Sequence, residues 1–377
     1  MMFTHLTIEN WKNFRKVDVE LGPRVFLVGA NATGKSNLLD VLRFLRDIAD
    51  PKGGLQRAVE DRGGFSPLRS LFARKNPAVL IEVTARIASQ SWAYRLCIDQ
   101  RSRDVVAVRE ESVTRDGVAM GCARPDADDR RDPARLTQTS LEQVNLNQRF
   151  RQLAEFLAGI RYLHAVPQIV RDPERGGRRK RDPFGADLFE RMLDAPVKRR
   201  TATLRAISKA LKVAVPQLKD LKLDKDRLGV PHLYGLYEHW RPKAGWQTEE
   251  AFSDGTLRLL ALLWALSEGR GPLLLEEPEL SLNAAIIRQL PRIMGRMSNR
   301  TGRQVLVTTH SADLLNDPGI PGEAILLLSP AKEGTIVEPA ASRADIRQLL
   351  AAGVPPGEAL LPHVEPQRAE QLSLGEW

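Results

Sequence analysis

The chain has 377 residues, 42% of them hydrophobic and 27% charged, which is ordinary for a globular protein and sufficient for two to three domains. No window approaches about 18 consecutive apolar residues, and Met1 to Glu9 lacks a basic segment followed by an apolar run, so we expect neither a membrane span nor a secretion signal. The net charge of +9 favours polyanionic partners, and Cys97 and Cys122 are expected to be reduced, structural thiols of a cytoplasmic protein.

The N-terminal part of the chain follows a strand–loop–helix pattern. Phe3 to Glu9 and Val17 to Leu21 alternate apolar and polar residues, which predicts two strands joined by a turn. Val25 to Val28 is a short apolar run, typical of a buried strand in a parallel sheet. A glycine-rich loop follows at once, and Asn37 to Ile48 has the apolar spacing of a helix. This order is the context that a phosphate-binding loop requires.

The middle of the chain is less regular. Its predicted elements are a loop (51–64), an antiparallel meander (79–108), a polar, mobile loop (120–136), a helix (141–157), a strand (161–166), a basic linker (171–183), a helix (188–211) and a polar region that extends to residue 250. The last part alternates again, with a short turn and an apolar helix (252–266), a strand (273–275), a helix (284–297) and two strands (305–308 and 324–328). Strands alternating with helices at both ends predict one α/β core that a long insertion divides.

The loop GANATGKS, from Gly29 to Ser36, carries the first chemical signal. Its glycines allow the backbone to turn tightly around an anion, and the helix that follows adds its positive N-terminus. We expect Lys35 to bridge the β- and γ-phosphates of a nucleotide and the Ser36 hydroxyl to ligate Mg²⁺. The candidate nucleotide contacts in this region are Gly29, Asn31, Gly34, Lys35, Ser36 and Asn37.

A phosphate loop needs a carboxylate at the end of a neighbouring strand, and the segment PLLLEE ends in two. We predict that Glu276 holds the Mg²⁺ shell and that Glu277 polarises the attacking water. The alternative is an acidic loop that merely follows a core strand. The strand VLVTTH then places His310 at the sheet edge where nucleotides bind, as a candidate donor to the γ-phosphate. A single histidine is otherwise often structural.

These motifs resemble the SMC/RecF-like branch of the ABC ATPases, and within it the single-chain ATPases related to the OLD (overcoming lysogenization defect) group. LTIENWKNFRKVDVEL is similar to the opening strands of that family, and GANATGKSN is similar to its Walker A loop. The stretch Phe252 to Thr256 resembles the signature motif, and LLLEEPELSLN with VLVTTHS resembles Walker B, the D-loop and the switch histidine. The resemblance implies an α/β fold, namely an ABC-type P-loop ATPase head with a mixed sheet flanked by helices and with β-meander and helical insertions.

The signature motif implies a mechanism in which two chains take part. Ser253 and Gly255 stand at the N-terminus of an apolar helix, which is a second anion site. In the family this site caps the γ-phosphate that the Walker A loop of another subunit holds. The resemblance therefore implies that ATP and Mg²⁺ close a homodimer with two composite sites. On spacing alone, Ser253 is equally well explained as an ordinary helix cap.

Several assignments stay open. Glu276 stands where many relatives have Asp, which leaves open whether it meets Mg²⁺ directly or through water. The signature reads SDG and not the SGG of transporters, so we do not expect a transporter subunit. Gln168 is our first choice for the Q-loop glutamine and Gln56 the second. Arg57 or Arg69 is a candidate arginine finger.

The resemblance also suggests how the chain is divided. We expect an N-terminal ATPase lobe (1–76), an antiparallel β and helical insertion (77–170), a basic helical insertion (171–250), a C-terminal ATPase lobe (251–330) and a C-terminal tail (331–377). We expect no Toprim nuclease domain such as full-length OLD nucleases carry, and we interpret the acidic residues from Asp126 to Asp132 as solvated surface.

The function implied by the resemblance is a nucleotide switch in a prokaryotic defence system that works with a separate nuclease or effector. Alternatives are a RecF-like DNA repair or recombination ATPase, and an assembly scaffold with little turnover. DNA would be bound by the densest basic run, unless that run is only a flexible linker. It comprises Arg175, Arg178, Arg179, Lys180 and Arg181, followed by Lys198, Arg199 and Arg200 on a predicted helix.

Overall fold

Three β-sheets organise the protein. The structure, a computed structural model, describes residues 1–73, 77–102, 105–172, 182–238 and 245–365. Within these residues, two sheets have six strands each and the third has three. The basic run predicted to bind DNA (Arg175, Arg178, Arg179, Lys180 and Arg181) lies outside the described residues.

The described residues alternate between strands and helices along most of the chain. The strands are β1 (Met2–Trp11), β2 (Phe14–Glu20), β3 (Arg24–Val28), β4 (Val79–Ile87), β5 (Gln90–Ser102), β6 (Val105–Arg115), β7 (Val118–Arg124), β8 (Arg161–Leu163), β9 (Leu218–Lys225), β10 (Pro231–Tyr237), β11 (Gln247–Thr248), β12 (Leu273–Glu276), β13 (Val305–Thr309), β14 (Ile325–Ala331) and β15 (Gly334–Pro339). The α-helices are α1 (Lys35–Ala49), α2 (Leu55–Glu60), α3 (Ala127–Arg131), α4 (Arg151–Ala158), α5 (Pro167–Arg171), α6 (Leu188–Asp194), α7 (Val197–Ala214), α8 (Asp254–Ser267), α9 (Ala284–Ile287), α10 (Leu290–Thr301), α11 (Ala312–Leu315), α12 (Ala344–Ala351) and α13 (Pro356–Val364).

The central sheet has the strand order β15-β14-β3-β13-β12-β8. Its strands are parallel except β15, which pairs antiparallel with β14 at one edge. The register places Val28 opposite Thr309, and Thr308 opposite Glu276. Three adjacent strands therefore end at the same level. The loops that follow them meet at one edge of the sheet, which is where sheets of this kind bind their ligands.

Successive residues of β3 enter two different hydrophobic cores, because side chains alternate across a strand. Val25 and Leu27 belong to a core that contains α1 and the large antiparallel sheet. Phe26 and Val28 belong to a core that contains α8 and the C-terminal helices. The central sheet is thus covered on both faces, as its continuous apolar strands predicted.

The large antiparallel sheet has the order β2-β1-β4-β5-β6-β7. It confirms the predicted meander over 79–108 and extends it through β7. β1 pairs with β4 from Glu9↔Leu80 to Met2↔Arg86, so the N-terminal hairpin and the meander form one continuous sheet. The division that we placed after residue 76 runs through this sheet.

Predictions for the irregular regions were wrong in several places. The expected loop over 51–64 contains α2, and the helix expected over 141–157 is confined to α4 and a preceding 3-10 turn. The helices expected over 188–211 and 284–297 are each divided in two. Proline lies at both divisions: Pro196 precedes α7, and Pro291 stands in the first turn of α10. Proline has no N–H to continue a helix but is well suited to begin one.

Two regions without an apolar pattern are more ordered than predicted. The polar region that extends to residue 250 contains the sheet β11-β10-β9, whose inward side chains include Leu218, Leu221 and Leu233. The segment after residue 330, which we expected to be a tail, contributes β15 to the central sheet and then forms α12 and α13. Helical side chains Ile346 and Leu360 complete the second core. In both regions the apolar residues are too sparse to produce a recognisable helix or strand periodicity in the sequence.

The acidic segment from Asp126 to Asp132 is not simply solvated surface. The prediction of a mobile loop over 120–136 was wrong, because this range contains the end of β7, α3 and most of a 3-10 helix. Asp129 is buried and accepts two 2.8 Å hydrogen bonds from the Arg124 guanidinium. These bonds hold the pKa of Asp129 down, at about 2. Arg124 also reaches Glu111, which accepts a hydrogen bond from the Tyr94 hydroxyl at 3.0 Å. Burial of these charges is tolerated because each is paired and hydrogen-bonded.

Candidate nucleotide-binding site

The Walker A loop connects β3 to α1 and has two residues in the left-handed backbone region. Ala32 has φ 63° and Gly34 has φ 94°. A Cβ atom on Gly34 would lie only 2.2 Å from the Asn13 amide nitrogen, so glycine is required there for space as well as for conformation. The loop therefore has the tight curvature that exposes backbone N–H groups to an anion.

Lys35 begins α1 and is almost fully buried. Its ammonium group donates hydrogen bonds to the carbonyl oxygens of Gly29 at 2.8 Å and Ala30 at 3.1 Å. Burial lowers the pKa of Lys35, and the carboxylates of Glu277, Glu279 and Glu276 offset this shift only in part. The three acidic groups therefore act on the same ammonium, which places Walker A and Walker B at one site.

The structure brings Ser36 and Glu276 together, although 240 residues separate them in the sequence. The Ser36 hydroxyl donates a hydrogen bond to one carboxylate oxygen of Glu276, and the Tyr162 hydroxyl donates to the other. Burial and the adjacent Glu276 charge raise the pKa of Tyr162, which keeps that hydroxyl a donor. A hydroxyl oxygen beside a carboxylate is the hard oxygen pair that Mg²⁺ prefers, so the donor set fits the metal.

Glu277 and His310 form the second pair at this edge. The His310 Nδ1 atom lies 3.2 Å from a carboxylate oxygen of Glu277, and both side chains are accessible to solvent. The Glu277 backbone has φ 43°, a sparsely populated conformation for a side chain of this size. Its N–H donates to the Thr308 carbonyl at 3.0 Å, and this bond fixes the Glu277 backbone against the end of β13.

Glu279 is a buried acidic residue that the sequence interpretation treated only as context. One of its carboxylate oxygens accepts a hydrogen bond from the Thr309 hydroxyl, and the other has no hydrogen-bond partner among the described residues. Burial raises its pKa. Thr309 directly precedes His310, so Glu279 connects the loop after Walker B to the strand that carries the histidine.

Asn13 is a site residue that the sequence analysis missed. Its amide nitrogen donates to the Thr33 carbonyl and to the Thr335 hydroxyl, both at 2.8 Å. Its amide oxygen accepts a 2.8 Å hydrogen bond from Asn37. One side chain thus joins the turn after β1 to the Walker A loop, α1 and β15. The Asn37 amide is therefore directed at Asn13, and its predicted contact with the nucleotide stays a prediction.

We expect Asn13→Ala to weaken ATP binding roughly tenfold, about 1.4 kcal/mol, because the substitution removes the three hydrogen bonds that tie the Walker A loop, α1 and β15 together before a ligand arrives. Titration calorimetry with ATP and Mg²⁺ measures this effect. Thr335→Val is the matched control, since it removes one of the three bonds and preserves the backbone bond from the Thr335 N–H to the Asn13 carbonyl, at 2.9 Å. Equal affinity of the Asn13→Ala variant and the unmodified protein would show that Asn13 has no positioning role.

The signature residues lie at the N-terminus of α8. Ser253 caps the helix by accepting a 3.2 Å hydrogen bond from the Thr256 N–H. A Cβ atom on Gly255 would lie 2.6 Å from the Ser281 carbonyl oxygen, so the D-loop packs directly on the helix start. Within the described residues, the hydrogen bonds of Ser253 and Asp254 run to α8 and to the segment around α5, and not to the Walker A loop.

Gln168, our first choice for the Q-loop, lies beside the signature motif. Its amide donates to the Asp254 carboxylate at 3.3 Å, and Arg171 donates to the same carboxylate at 2.7 Å. Gln168 follows β8, the strand next to β12, so it stands on the Walker B side of the sheet. Its contact with a nucleotide stays a prediction.

The other open candidates have structural partners. The Gln56 amide donates to the carbonyl oxygens of Val106 and Thr137 at 2.8 and 2.6 Å, which ties α2 to the antiparallel sheet. Arg57 donates to the Lys52 carbonyl at 3.0 Å, and Arg69 pairs with Trp11 in an isolated β-bridge. These contacts disfavour Gln56 as the Q-loop residue and do not single out an arginine finger.

Comparison with known proteins places these observations in a family. A profile described as "AAA domain, putative AbiEii toxin, Type IV TA system" matches residues 24–316. The DNA replication and repair protein RecF of Lactobacillus acidophilus is 46% identical over 46 residues, which is 12% of each chain. Endonuclease GajA of Bacillus cereus is 40% identical over 58 residues, 15% of this chain and 10% of GajA. The alignments therefore span only about a tenth of these relatives.

Solved structures show the same fold. The Smc head bound to the C-winged helix domain of ScpA has a TM-score of 0.53 and 16% identity, over 90% of this chain and 98% of that chain. An Smc head domain with an extended coiled coil, bound to the C-terminal domain of ScpA derived from Pyrococcus furiosus, has a TM-score of 0.51 and 14% identity, over 89% and 96% of the two chains. Among the described residues, no helix has the length and apolar character needed to span a membrane.

The family profile covers most of the chain, from the start of β3 to the residue after α11, and so includes Walker A, the signature, Walker B and the switch histidine. The solved structures independently assign the ABC-type head fold that the sequence predicted. This protein therefore belongs to the family described as "AAA domain, putative AbiEii toxin, Type IV TA system", and it has the fold of the ABC-type ATPase heads, with motifs that resemble those of the SMC/RecF-like branch.

Proposed function

We propose that this protein hydrolyses ATP with Mg²⁺ and uses ATP to close a homodimer that acts as a nucleotide switch. The observation that carries the proposal is the meeting of four groups at one sheet edge. Lys35 and Ser36 follow β3, Glu276 and Glu277 stand at the end of β12, and His310 follows β13, with contacts between Ser36 and Glu276 and between Glu277 and His310. Phosphoryl transfer to water requires a cation (Lys35), metal ligands (Ser36 and Glu276), a base (Glu277) and a hydrogen-bond donor (His310).

In the proposed mechanism each group has a separate task. The Lys35 ammonium would leave its two carbonyl partners for the β- and γ-phosphates, and Ser36 and Glu276 would hold the metal ion. Mg²⁺, when bound, neutralises the charge that develops between these phosphates. Glu277 orients the attacking water and accepts its proton, a contribution of about 10² to 10⁴ in rate. His310 donates a hydrogen bond to the γ-phosphate and keeps its Glu277 contact.

The signature residues complete the site of a second chain in this proposal. Ser253 and Gly255 present the N-terminus of a 14-residue helix, and within the described residues the Ser253 hydroxyl bonds to Thr256 and not to the Walker A loop. An anion bound in trans would satisfy the first N–H groups of α8. We therefore propose that Ser253 and Gly255 of one chain contact the nucleotide that the Walker A loop of the partner chain holds.

Light scattering with different nucleotides tests the proposal. We expect a monomer with ADP and a dimer with ATP and Mg²⁺, and slow turnover that decays together with the dimer. A protein that hydrolyses ATP but stays monomeric with every nucleotide would contradict the switch and leave the ATPase assignment intact.

For the biological role we favour a cytoplasmic defence system with a separately encoded nuclease or effector. The OLD-like motifs and the alignment with GajA, an endonuclease by name, support this choice. Co-purification with the products of neighbouring genes, with and without ATP, tests it. A nuclease that associates only in the ATP state is the expected result, and a neighbourhood without any effector protein argues against the role.

The second candidate is a RecF-like DNA repair or recombination ATPase. Two RecF proteins align with short segments of the chain, and the net charge is +9. Stimulation of turnover by DNA would favour this role, whereas ATP-dependent assembly with negligible turnover would favour the scaffold. The boundaries that we placed after residues 170 and 250 stay proposals that accompany these roles, whereas the sheets contradict the division after residue 76 and the separate C-terminal tail.

A further inference from the structure

Helix α7 carries an unusual distribution of charge. Its 18 residues, VKRRTATLRAISKALKVA, include six basic residues and no acidic residue. The apolar side chains Leu204, Ile207 and Leu211 are buried and fix the helix against the second core, on the side of α8. The basic residues therefore lie on the sides of the helix that do not enter the core.

The six basic residues fall into two groups. Arg199 donates to the Ser267 carbonyl at 2.5 Å, and Arg200 donates to the Leu193 carbonyl at 2.7 Å, so these two residues anchor the helix to its neighbours. The other four are exposed and form no hydrogen bond or ion pair within the described residues. They are Lys198, Arg205, Lys209 and Lys212.

These four residues form a straight row, which we name the α7 row. At about 100° of rotation per residue, Lys198, Arg205, Lys209 and Lys212 lie within an arc of about 60° on the helix surface. At about 1.5 Å per residue they extend along about 21 Å. A duplex of the same length presents roughly twelve phosphate charges. A row of cations on this scale matches a phosphate backbone, and contacts to phosphates carry no base specificity.

An anionic membrane is the less favoured partner. A helix that lies on a membrane buries an apolar face among the lipids. The apolar face of α7 is already occupied by the protein core, and the only large apolar residues of α7 that are exposed are Val197 and Val213, near its two ends. The α7 row could therefore attract anionic lipids through its charge, but α7 has no free apolar face to insert into a membrane.

We propose that the α7 row binds the phosphate backbone of duplex DNA without sequence preference. The inference goes beyond the proposed nucleotide switch and does not require it, because a single chain presents the whole row. It also corrects the assignment that the sequence suggested for this helix. Of the three residues predicted from the sequence, Arg199 and Arg200 have structural partners, and only Lys198 remains a predicted phosphate contact. The structure adds Arg205, Lys209 and Lys212 to it.

The test uses the full chain and a short fluorescent duplex of mixed sequence, with binding followed by anisotropy at increasing NaCl. The row variant replaces all four residues of the α7 row with Gln, a good helix former that removes charge without removing the helix. We expect it to bind on the order of a hundredfold more weakly at low salt. We also expect the slope of log K against log salt to fall by about three to four, since each phosphate contact contributes about 0.9.

The matched control replaces four exposed and scattered cations with Gln: Lys16, Lys52, Arg86 and Arg130. It lowers the formal charge of +9 by the same four units. We expect it to retain most of the affinity and the slope. A second variant, Lys→Arg at positions 198, 209 and 212, keeps the charge and should bind normally.

Circular dichroism melting of each variant establishes that it is folded. Equal losses in the row variant and the control would show a general charge effect and overturn the proposal, as would unchanged binding in the row variant. Vesicles that contain phosphatidylserine form a separate arm. If the row variant loses vesicle binding and keeps duplex binding, the partner is a membrane. Failure of ATP-driven dimerisation would change none of these readouts.

Discussion

Glu277→Gln is expected to reduce ATP turnover about 10² to 10⁴-fold and to leave the protein as a long-lived, ATP-bound dimer. The substitution keeps the size and hydrogen-bonding shape of the side chain but removes the group that accepts the proton of water. Binding should persist, because Lys35 and the Ser36–Glu276 pair are unchanged and the backbone bond from residue 277 to Thr308 does not involve the side chain.

Single-turnover hydrolysis and light scattering, with ATP and Mg²⁺, measure the two effects together. Glu323→Gln, the same change at an exposed position, is the control and should behave like the unmodified protein. Glu276→Gln provides a contrast, since we expect it to lose Mg²⁺-dependent binding and therefore not to form the dimer. If the Glu277→Gln variant hydrolyses ATP at the normal rate, another group is the base.

The sequence was sufficient to predict that the candidate site residues meet, because its main signals are local. A buried strand, a glycine-rich loop and a helix are contiguous from Arg24 to Ala49, and their order fixes where the phosphate loop lies. Walker B and the switch histidine each directly follow a short apolar strand. Parallel strands bring their carboxyl ends to one edge, so the convergence of Ser36, Glu276 and His310 follows from the sequence pattern alone.

The groups that hold the site in place could not be predicted in this way. Asn13 bonds to Thr335, which is 322 residues away, and Tyr162 bonds to Glu276 across 114 residues. Neither residue belongs to a local pattern, and one sequence carries no record of such contacts. Asp129 illustrates a different error, in which a local pattern predicts an exposed residue that is in fact buried. Its neighbours indicate a solvated loop, and only the guanidinium of Arg124 explains why the carboxylate is buried.

Mixing two inactive variants is expected to restore activity if each nucleotide lies between two chains. Lys35→Met removes the phosphate cation, and Ser253→Asp places a negative charge where the partner's γ-phosphate is proposed to bind. Aspartate is itself a good helix cap, so the start of α8 should stay intact. Each variant alone should lose turnover by about 10²-fold or more, because both of its sites contain the defect.

In an equal mixture that exchanges freely, half of the dimers contain one chain of each kind. Such a dimer has one site with both defects and one site with an intact Walker A loop and an intact signature. If the sites act independently, recovery should approach about a quarter of the normal activity. Ser253→Asn, a cap without charge, is the matched control and should lose much less activity on its own.

A mixture that stays inactive while scattering shows mixed dimers would mean either that Ser253 serves its own chain or that the two sites must act together. Mixing Lys35→Met with Ser253→Asn separates these explanations, because the only severe defect is then the missing cation. If Ser253 serves its own chain, the mixed dimers add to the activity of the Ser253→Asn homodimers. If the sites must act together, the Lys35→Met chain silences every mixed dimer, and only those homodimers remain active.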